Sequence, residues 1–355
     1  MLFCAATFGQ DWAAQAQVAR PPAQTESGAD AERTATGDKS VGQLVQETID
    51  LLDKAADLRR DQAELNSLQA VFDQASQNVQ TIQEREPLNP WLLYLRGRAY
   101  SLTGKPADAA EELRQFVQTR EGRNEWRAYR SLGDLFSDNF PRLARSHYQK
   151  ALALKAGVPE ILMGLSKCYL KFGEMDEAIR FAREAIDADR RTKPEYVSHL
   201  ALLLQDAEQW DEALREAESA VQLARKRVEE KPGLRGPVRE LDVHYGLLLD
   251  ILQSRISRAD TGDVQDYIRL AEYGRAQAEI IRTLALHDIL LLIERRMDAV
   301  EGNRSPQLLE PYGVLLAEVG RTDDAIAAFD ELLQSDPGNM TASRWLKQLR
   351  PAAPD

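Results

Sequence analysis

Four histidines, two cysteines and a few adjacent acids are the side chains of this 355-residue sequence that could hold a metal, attack a bond or pass a proton. Their spacing supports none of that chemistry. His147, His199, His244 and His287 are scattered, with no second ligand four residues on and no HExxH pattern. No helix face would therefore offer the paired imidazoles of a zinc hydrolase. His147 precedes the packing residue Tyr148, and His199 precedes Leu200, which reads as surface or groove placement. Cys4 lies in the apolar start and Cys168 in an apolar-periodic run, so no disulfide framework is indicated; Cys168 reads as a small buried apolar residue. Adjacent acids such as Glu111-Glu112 and Glu229-Glu230 read as solvated helix faces, not as an acid/base pair. No glycine-rich loop follows a strand. The sequence predicts a chain that is not an enzyme, with no catalytic residue, no cofactor and no metal.

The elements that carry these side chains repeat. Trp91–Gln115, WLLYLRGRAYSLTGKPADAAEELRQ, matches Glu160–Glu184, EILMGLSKCYLKFGEMDEAIRFARE, in its order of large, small, aromatic, glycine and acidic-alanine positions. Arg127–Lys150, Glu195–Ser219 and Gln307–Leu332 follow the same order, at a period near 34 residues that marks a helix-turn-helix array. In the first helix the small residue is Gly97, Gly133, Ser166, Ala201 and Gly313; in the second it is Ala109, Ala144, Ala178, Ala213 and Ala325. Helices whose backbones approach closely need such residues at the crossing. Large partners fill the space left: Tyr100, Phe136, Tyr169, Leu204 and Leu316 at one position, Leu132, Leu165, Leu200 and Tyr312 at another. Gly104, Gly173 and Gly320 fall where the first helix ends. Asp108, Asp176, Asp211 and Asp323 fall near the start of the second, where negative charge meets the positive end of the helix dipole.

These positions, recurring in phase, resemble the tetratricopeptide repeat family over about 89–224 and 305–338. The resemblance implies an all-α fold, a right-handed α-α superhelix of antiparallel helix pairs. In that family the first helices of the pairs line a concave groove that often takes an extended peptide. Carried onto this sequence, the groove positions are Tyr94 and Arg98, then Arg127, Arg130 and Asp134, then Met163, Lys167 and Lys171, then Ser198, Leu202 and Gln205. Tyr94, Arg98, Arg127, Arg130, Lys167 and Lys171 are the peptide-binding candidates. They make the front half of the groove basic and favour an acidic segment or a C-terminal carboxylate through charge-assisted hydrogen bonds. The subfamily that clamps chaperone tails uses Lys and Asn at fixed groove positions. Tyr94, Arg98 and Asp134 stand at the matching places here, so a clamp of that kind is not expected. The implied function is a protein-protein interaction scaffold. Its alternatives are a structural subunit that forms a homo-oligomer or braces a larger complex, and a regulatory subunit of a separate enzyme.

The rest of the chain divides around the repeats. Residues 41–88 form two helices without the small-residue signature, a divergent first repeat or cap. Four clear repeats occupy 89–227, and 228–304 holds divergent helical repeats with longer helices, Ile289–Val300 forming a separate stretch. A fifth clear repeat occupies 305–338, where Pro311 requires its first helix to begin late or to kink, and 339–355 is a capping helix and tail. The net charge of −12 argues against a nucleic-acid-binding surface and against adhesion to anionic membranes, and no run approaches the roughly 18 apolar residues of a membrane span.

Residues 1–40 are a leader-like segment and flexible linker. MLFCAATF is apolar, Ala14-Gln15-Ala16 supplies small residues at a cleavage spacing, and 17–40 is rich in Ala, Thr, Ser, Gly, Gln and acid. The expected location is exported, periplasmic or in the cell envelope; cytoplasmic is the alternative. N-terminal sequencing of the native protein should find a mature start near Gln17, and a native chain that retains Met1 would contradict export.

Overall fold

The computed structural model describes residues 39–62, 65–258, 264–298 and 306–350, so the leader-like segment lies outside the described residues. All regular structure among the described residues is helical. The chain separates into two compact units, divided between Arg191 and Thr192.

The first unit holds α1 (Val41–Arg60), α2 (Leu65–Arg85), α3 (Trp91–Leu102), α4 (Pro106–Phe116), α5 (Trp126–Phe136), α6 (Pro141–Leu154), α7 (Pro159–Lys171) and α8 (Met175–Ala188). The second holds α9 (Pro194–Asp206), α10 (Trp210–Glu230), α11 (Arg235–Arg258), α12 (Val264–Asp298), α13 (Pro306–Glu318), α14 (Thr322–Ser335) and α15 (Met340–Leu349). Helices pair in sequence order, α1 with α2 through α7 with α8 in the first unit, and α9 with α10 and α13 with α14 in the second. The odd-numbered helices of the first unit also stack directly on one another, α1 on α3, α3 on α5 and α5 on α7.

The pairs are held by a large side chain of the second helix seated on a small residue of the first. A β-carbon on Gly97 would lie 2.7 Å from Leu113 Cγ, and one on Gly313 would lie 2.7 Å from Phe329 Cε1. Tyr148 does this twice: its ring fills the space beside Gly133, 2.6 Å from where a β-carbon would stand, and presses more closely still on Gly164 of the following helix. In the third repeat Ser166 is small enough to fit, and its hydroxyl donates to the Ala178 carbonyl at 2.7 Å. The five second-helix alanines, Ala109, Ala144, Ala178, Ala213 and Ala325, are wholly buried.

The corners repeat as closely. Lys105 N–H donates to the Tyr100 carbonyl, Glu174 to Tyr169, Gln209 to Leu204 and Arg321 to Leu316, the wide bond of a Schellman turn. The residue between must take a left-handed backbone, which Gly104 (φ 77°) and Gly173 (φ 73°) adopt without strain. In the fourth clear repeat Glu208 adopts it at φ 60°, so a missing glycine does not move the corner. Four of the second helices then open on acids in their first turn, Asp108, Asp176, Asp211 and Asp323 among them, whereas α6 opens on Pro141 with none.

Two expectations change. Ile289 does not begin a separate helix: α12 runs unbroken for 35 residues. No glycine or proline interrupts it after Gly274, so nothing breaks the backbone bonds where a separate stretch was expected; Ala299 and Val300 lie outside the described residues. Nor does α13 begin late. It runs from Pro306 through Pro311, which lacks the N–H that a helical residue there would donate one turn back. The expected capping helix forms as α15. It buries Ala342 and Leu346 against the final pair and stacks Trp345 on Phe329, with ring centroids 6.3 Å apart.

These contacts set the sign of a simple exchange. Gly to Ala in a helix ordinarily gains about 1 kcal/mol. Gly133→Ala and Gly164→Ala should instead each cost about 1–2 kcal/mol in denaturant unfolding, because the methyl group drives into the Tyr148 ring. Gly42→Ala in α1, with nothing within 4 Å, should not destabilise.

Candidate functional site

The stacked face of α1, α3, α5 and α7 carries most of the residues that the repeat pattern assigns to a groove. Its side chains tie successive helices together. Arg98 of α3 pairs with Asp53 of α1 at 2.5 Å. Lys171 at the end of α7 donates to the Ser137 carbonyl at 2.7 Å and lies 3.3 Å from the Asp138 carboxylate, capping the C-terminus of α5. Arg127 pairs with Glu125 at 3.4 Å and lies over the Trp126 ring at 5.0 Å. Tyr94 is only 1 % exposed, with its ring against Trp91 and Phe116, and Met163 is likewise buried. Neither presents a free surface.

Asp134 and Arg130 stand at the centre. The Tyr148 hydroxyl donates to Asp134 Oδ1 at 2.7 Å, and Arg130 Nε lies 3.9 Å from Oδ2. Arg130 Nε is buried and has no hydrogen-bond partner. The crowding of protein around Asp134 raises its carboxyl above the usual range, while Arg130, the Tyr148 hydrogen bond, Arg98 and Lys167 pull it down. Even so, about half of the Asp134 side chain (53 %) remains open to water. Lys167 of α7 is exposed and, of the six candidates, makes no ion pair among the described residues. The expectation of a basic face is therefore modified: Asp53, Asp134, Asp138 and Glu125 interleave with the cations, and Glu160 also acts on Arg130.

In the second unit the same positions are spent in the same way. Ser198 Oγ lies 2.6 Å from His244 Nδ1, and Gln205 donates to Asp250 at 2.7 Å, both joining α9 to α11. Leu202 is exposed between them. Glu240 is 3.9 Å from His244 Nε2 and is held by Arg227 at 2.8 Å, which leaves that ring nitrogen unpartnered. A serine, a histidine and an acid thus meet without the bonded relay that would activate the hydroxyl. Among the described residues no group of three His, Cys, Asp or Glu side chains is placed to hold a metal. No helix among them is long and apolar enough to cross a membrane.

Sequence reading missed the partners more than the positions. Asp53 and Asp250 stand 45 residues from Arg98 and Gln205, and His244 stands 46 from Ser198. The nearest signal was an acid on the matching face of the adjacent first helix, which a reading of the 34-residue period does not register.

Three sequence models described as tetratricopeptide repeat match residues 90–115, 136–203 and 309–346. A comparison with curated proteins gives no significant match. Among solved structures, the MamA protein is 25 % identical with a TM-score of 0.39, over 45 % of this chain and 93 % of that one. The type IV pilus biogenesis factor PilW is 18 % identical with a TM-score of 0.46, over 66 % and 93 %. A thermophilic TPR protein of Thermus thermophilus is 20 % identical with a TM-score of 0.41, over 57 % and 99 %.

His147 corrects a further expectation. It is half-buried behind the face rather than on it, stacked on Phe136 with ring centroids 5.7 Å apart and with a buried, unpartnered Nδ1. Burial, with Lys150 and Arg114 nearby, lowers its pKa to about 4. The unfolded chain takes up this proton near pH 6.5 and the folded chain only near pH 4. The stabilisation is therefore complete above pH 6.5 and lost as pH falls through that window. Chemical denaturation at pH 7 and pH 4 should show His147→Phe losing about 2 kcal/mol less than the unaltered protein over this range.

Proposed function

The chain is a tetratricopeptide repeat protein, and on that premise we propose that it is a non-catalytic scaffold that binds a partner protein on the stacked face of α1, α3, α5 and α7. Repeats of this kind support protein-protein interaction. The finer reading concerns which groups on the face remain to be used. Arg98, Arg127 and Lys171 already hold acids or carbonyls of this chain, and Tyr94 is core.

Lys167 and Arg130 remain, one exposed with no ion pair and the other with a buried N–H that lacks an acceptor, on adjacent stacked helices and both within electrostatic reach of Asp134. This pair is the observation that carries the reading. An incoming carboxylate, from an acidic side chain or a chain terminus, pairs with the exposed Lys167 in a charge-assisted bond, and the unsatisfied Arg130 beside it adds positive charge. Asp134 limits the site to one such group, because a second anion would face its carboxylate. The partner is thus a segment with an isolated acid rather than an acidic run, and nucleic acid is disfavoured by the acids interleaved along the face. The sequence features of residues 1–40 support export to the periplasm or envelope as the place where the partner is met.

Affinity capture from cell extract, read by quantitative mass spectrometry, tests the reading. Lys167→Glu lies at an exposed position and should reduce capture of the principal partner by about tenfold, with helical content unchanged. Lys226→Glu, at an exposed position of α10, should leave capture intact. Equal capture by the Lys167→Glu and unaltered proteins would rule out this face as the docking site.

A further inference from the structure

Helix α12 buries one side and leaves the other bare. On its inner side Asp266 pairs with Arg255 at 3.1 Å, the Tyr273 hydroxyl donates to Glu218 at 3.0 Å, and Gln277 donates to Asp242 at 3.0 Å. On the outer side Val264, Tyr267, Ile268, Ile281, Ile289 and Leu292 are between 45 % and 69 % exposed. No other described helix carries so many large apolar side chains in water.

Their spacing is that of a helix-packing seam. Ala271, Ala278, Ala285 and Leu292 recur every seven residues, and Tyr267, Gly274 and Ile281 form a second heptad series interleaved with the first. The three alanines are exposed and nothing lies within 4 Å of where a β-carbon on Gly274 would stand, so another backbone can approach closely. From Val264 to Leu292 the seam is about 42 Å long at 1.5 Å per residue, long enough to approach the roughly 800 Å² per partner of a stable interface.

The charges along this side choose the occupant. Glu272, Arg275, Glu279 and Arg282 are all exposed and alternate in sign along the helix. Read in the opposite direction the series is its own complement. An antiparallel copy related by a two-fold axis near Gln277 sets Glu272 against Arg282 of the second copy and Arg275 against its Glu279, and symmetry makes each pair twice. A parallel copy would carry these charges, which share one flank of the seam, to opposite sides of the pair and leave them without complements. Within one chain Arg282 already lies 3.7 Å from Glu279, a largely exposed pair that can be exchanged for an intermolecular one at little cost.

We propose that the outer face of α12 is a homodimerisation surface, on which two copies of this chain dock their α12 helices antiparallel. The dimer is isologous, with the alanine series at its centre and the alternating charges fixing direction and register. It uses no residue of the α1, α3, α5 and α7 face, so its failure would leave the scaffold reading untouched.

Sedimentation of the full chain from about 1 to 100 µM tests this. The unaltered protein should pass from monomer to dimer over that range. Ile281→Glu should weaken association by at least about tenfold without loss of helical content, because the side chain is already in water. Arg275→Glu alone and Glu279→Arg alone should each weaken it by about tenfold, and the two together should recover it to within about threefold. A chain that stays monomeric at about 100 µM overturns the proposal, as does a dimer insensitive to these changes or a double reversal without recovery. A chain monomeric in full length that dimerises once residues 1–38 are removed also overturns it, by assigning the face to the chain's own N-terminal segment.

Discussion

The fit of one aromatic ring between two glycines carries the first unit. Tyr148 belongs to α6 but touches the backbones of both α5 and α7, at Gly133 and Gly164. A ring seated on two glycines brings three helices closer than any larger side chain would allow, and close packing is where dispersion and burial contribute most. A phenol buried this deeply needs a partner for its hydroxyl, and Asp134 supplies it at 2.7 Å. That hydrogen bond holds the Asp134 carboxylate where the charges of Arg130, Arg98 and Lys167 act on it. Packing of the repeat and electrostatics of the exposed face are thus joined through a single side chain. Leu113 on Gly97 and Phe329 on Gly313 repeat the packing half of the arrangement without the polar half.

The division of labour on that face follows from the geometry of stacking. First helices that lie side by side bring their outward side chains within reach of one another, and polar groups within reach pair. Arg98 with Asp53, Lys171 with the end of α5, and Gln205 with Asp250 all join one stacked helix to the next. A residue engaged in this way stabilises the stack and has less to offer a ligand. Among the candidate cations, stacking leaves Lys167 without an ion pair and the buried Arg130 Nε without a hydrogen bond, and the proposed recognition rests on that remainder.

This explains which parts were legible in the sequence. Small residues, corner glycines and helix-opening acids recur at one period because each serves a contact inside its own helix pair, so Gly97, Gly133 and Gly313 announce themselves. Gly164 does not, because its role depends on a ring that arrives from the preceding pair. The candidate cations were legible as positions, but their partners were not, since Asp53 and Asp250 lie in neighbouring repeats at separations the period does not state. The sequence points His147 to the surface or groove because it shows the helical face but not Phe136 stacked over it. The length of α12 was missed for a different reason: its apolar residues continue around the helix, so no amphipathic boundary marks where one segment would end.

The central claim is that Tyr148 couples α5, α6 and α7 into one cooperative block rather than merely filling its own helix pair. Native-state hydrogen exchange of Tyr148→Ala, followed amide by amide, tests it most directly. The account predicts that protection falls together across α5, α6 and α7, by about 3 kcal/mol, while α1 and α2 keep most of theirs. Loss confined to α6, with α5 and α7 still protected as in the unaltered protein, would contradict it.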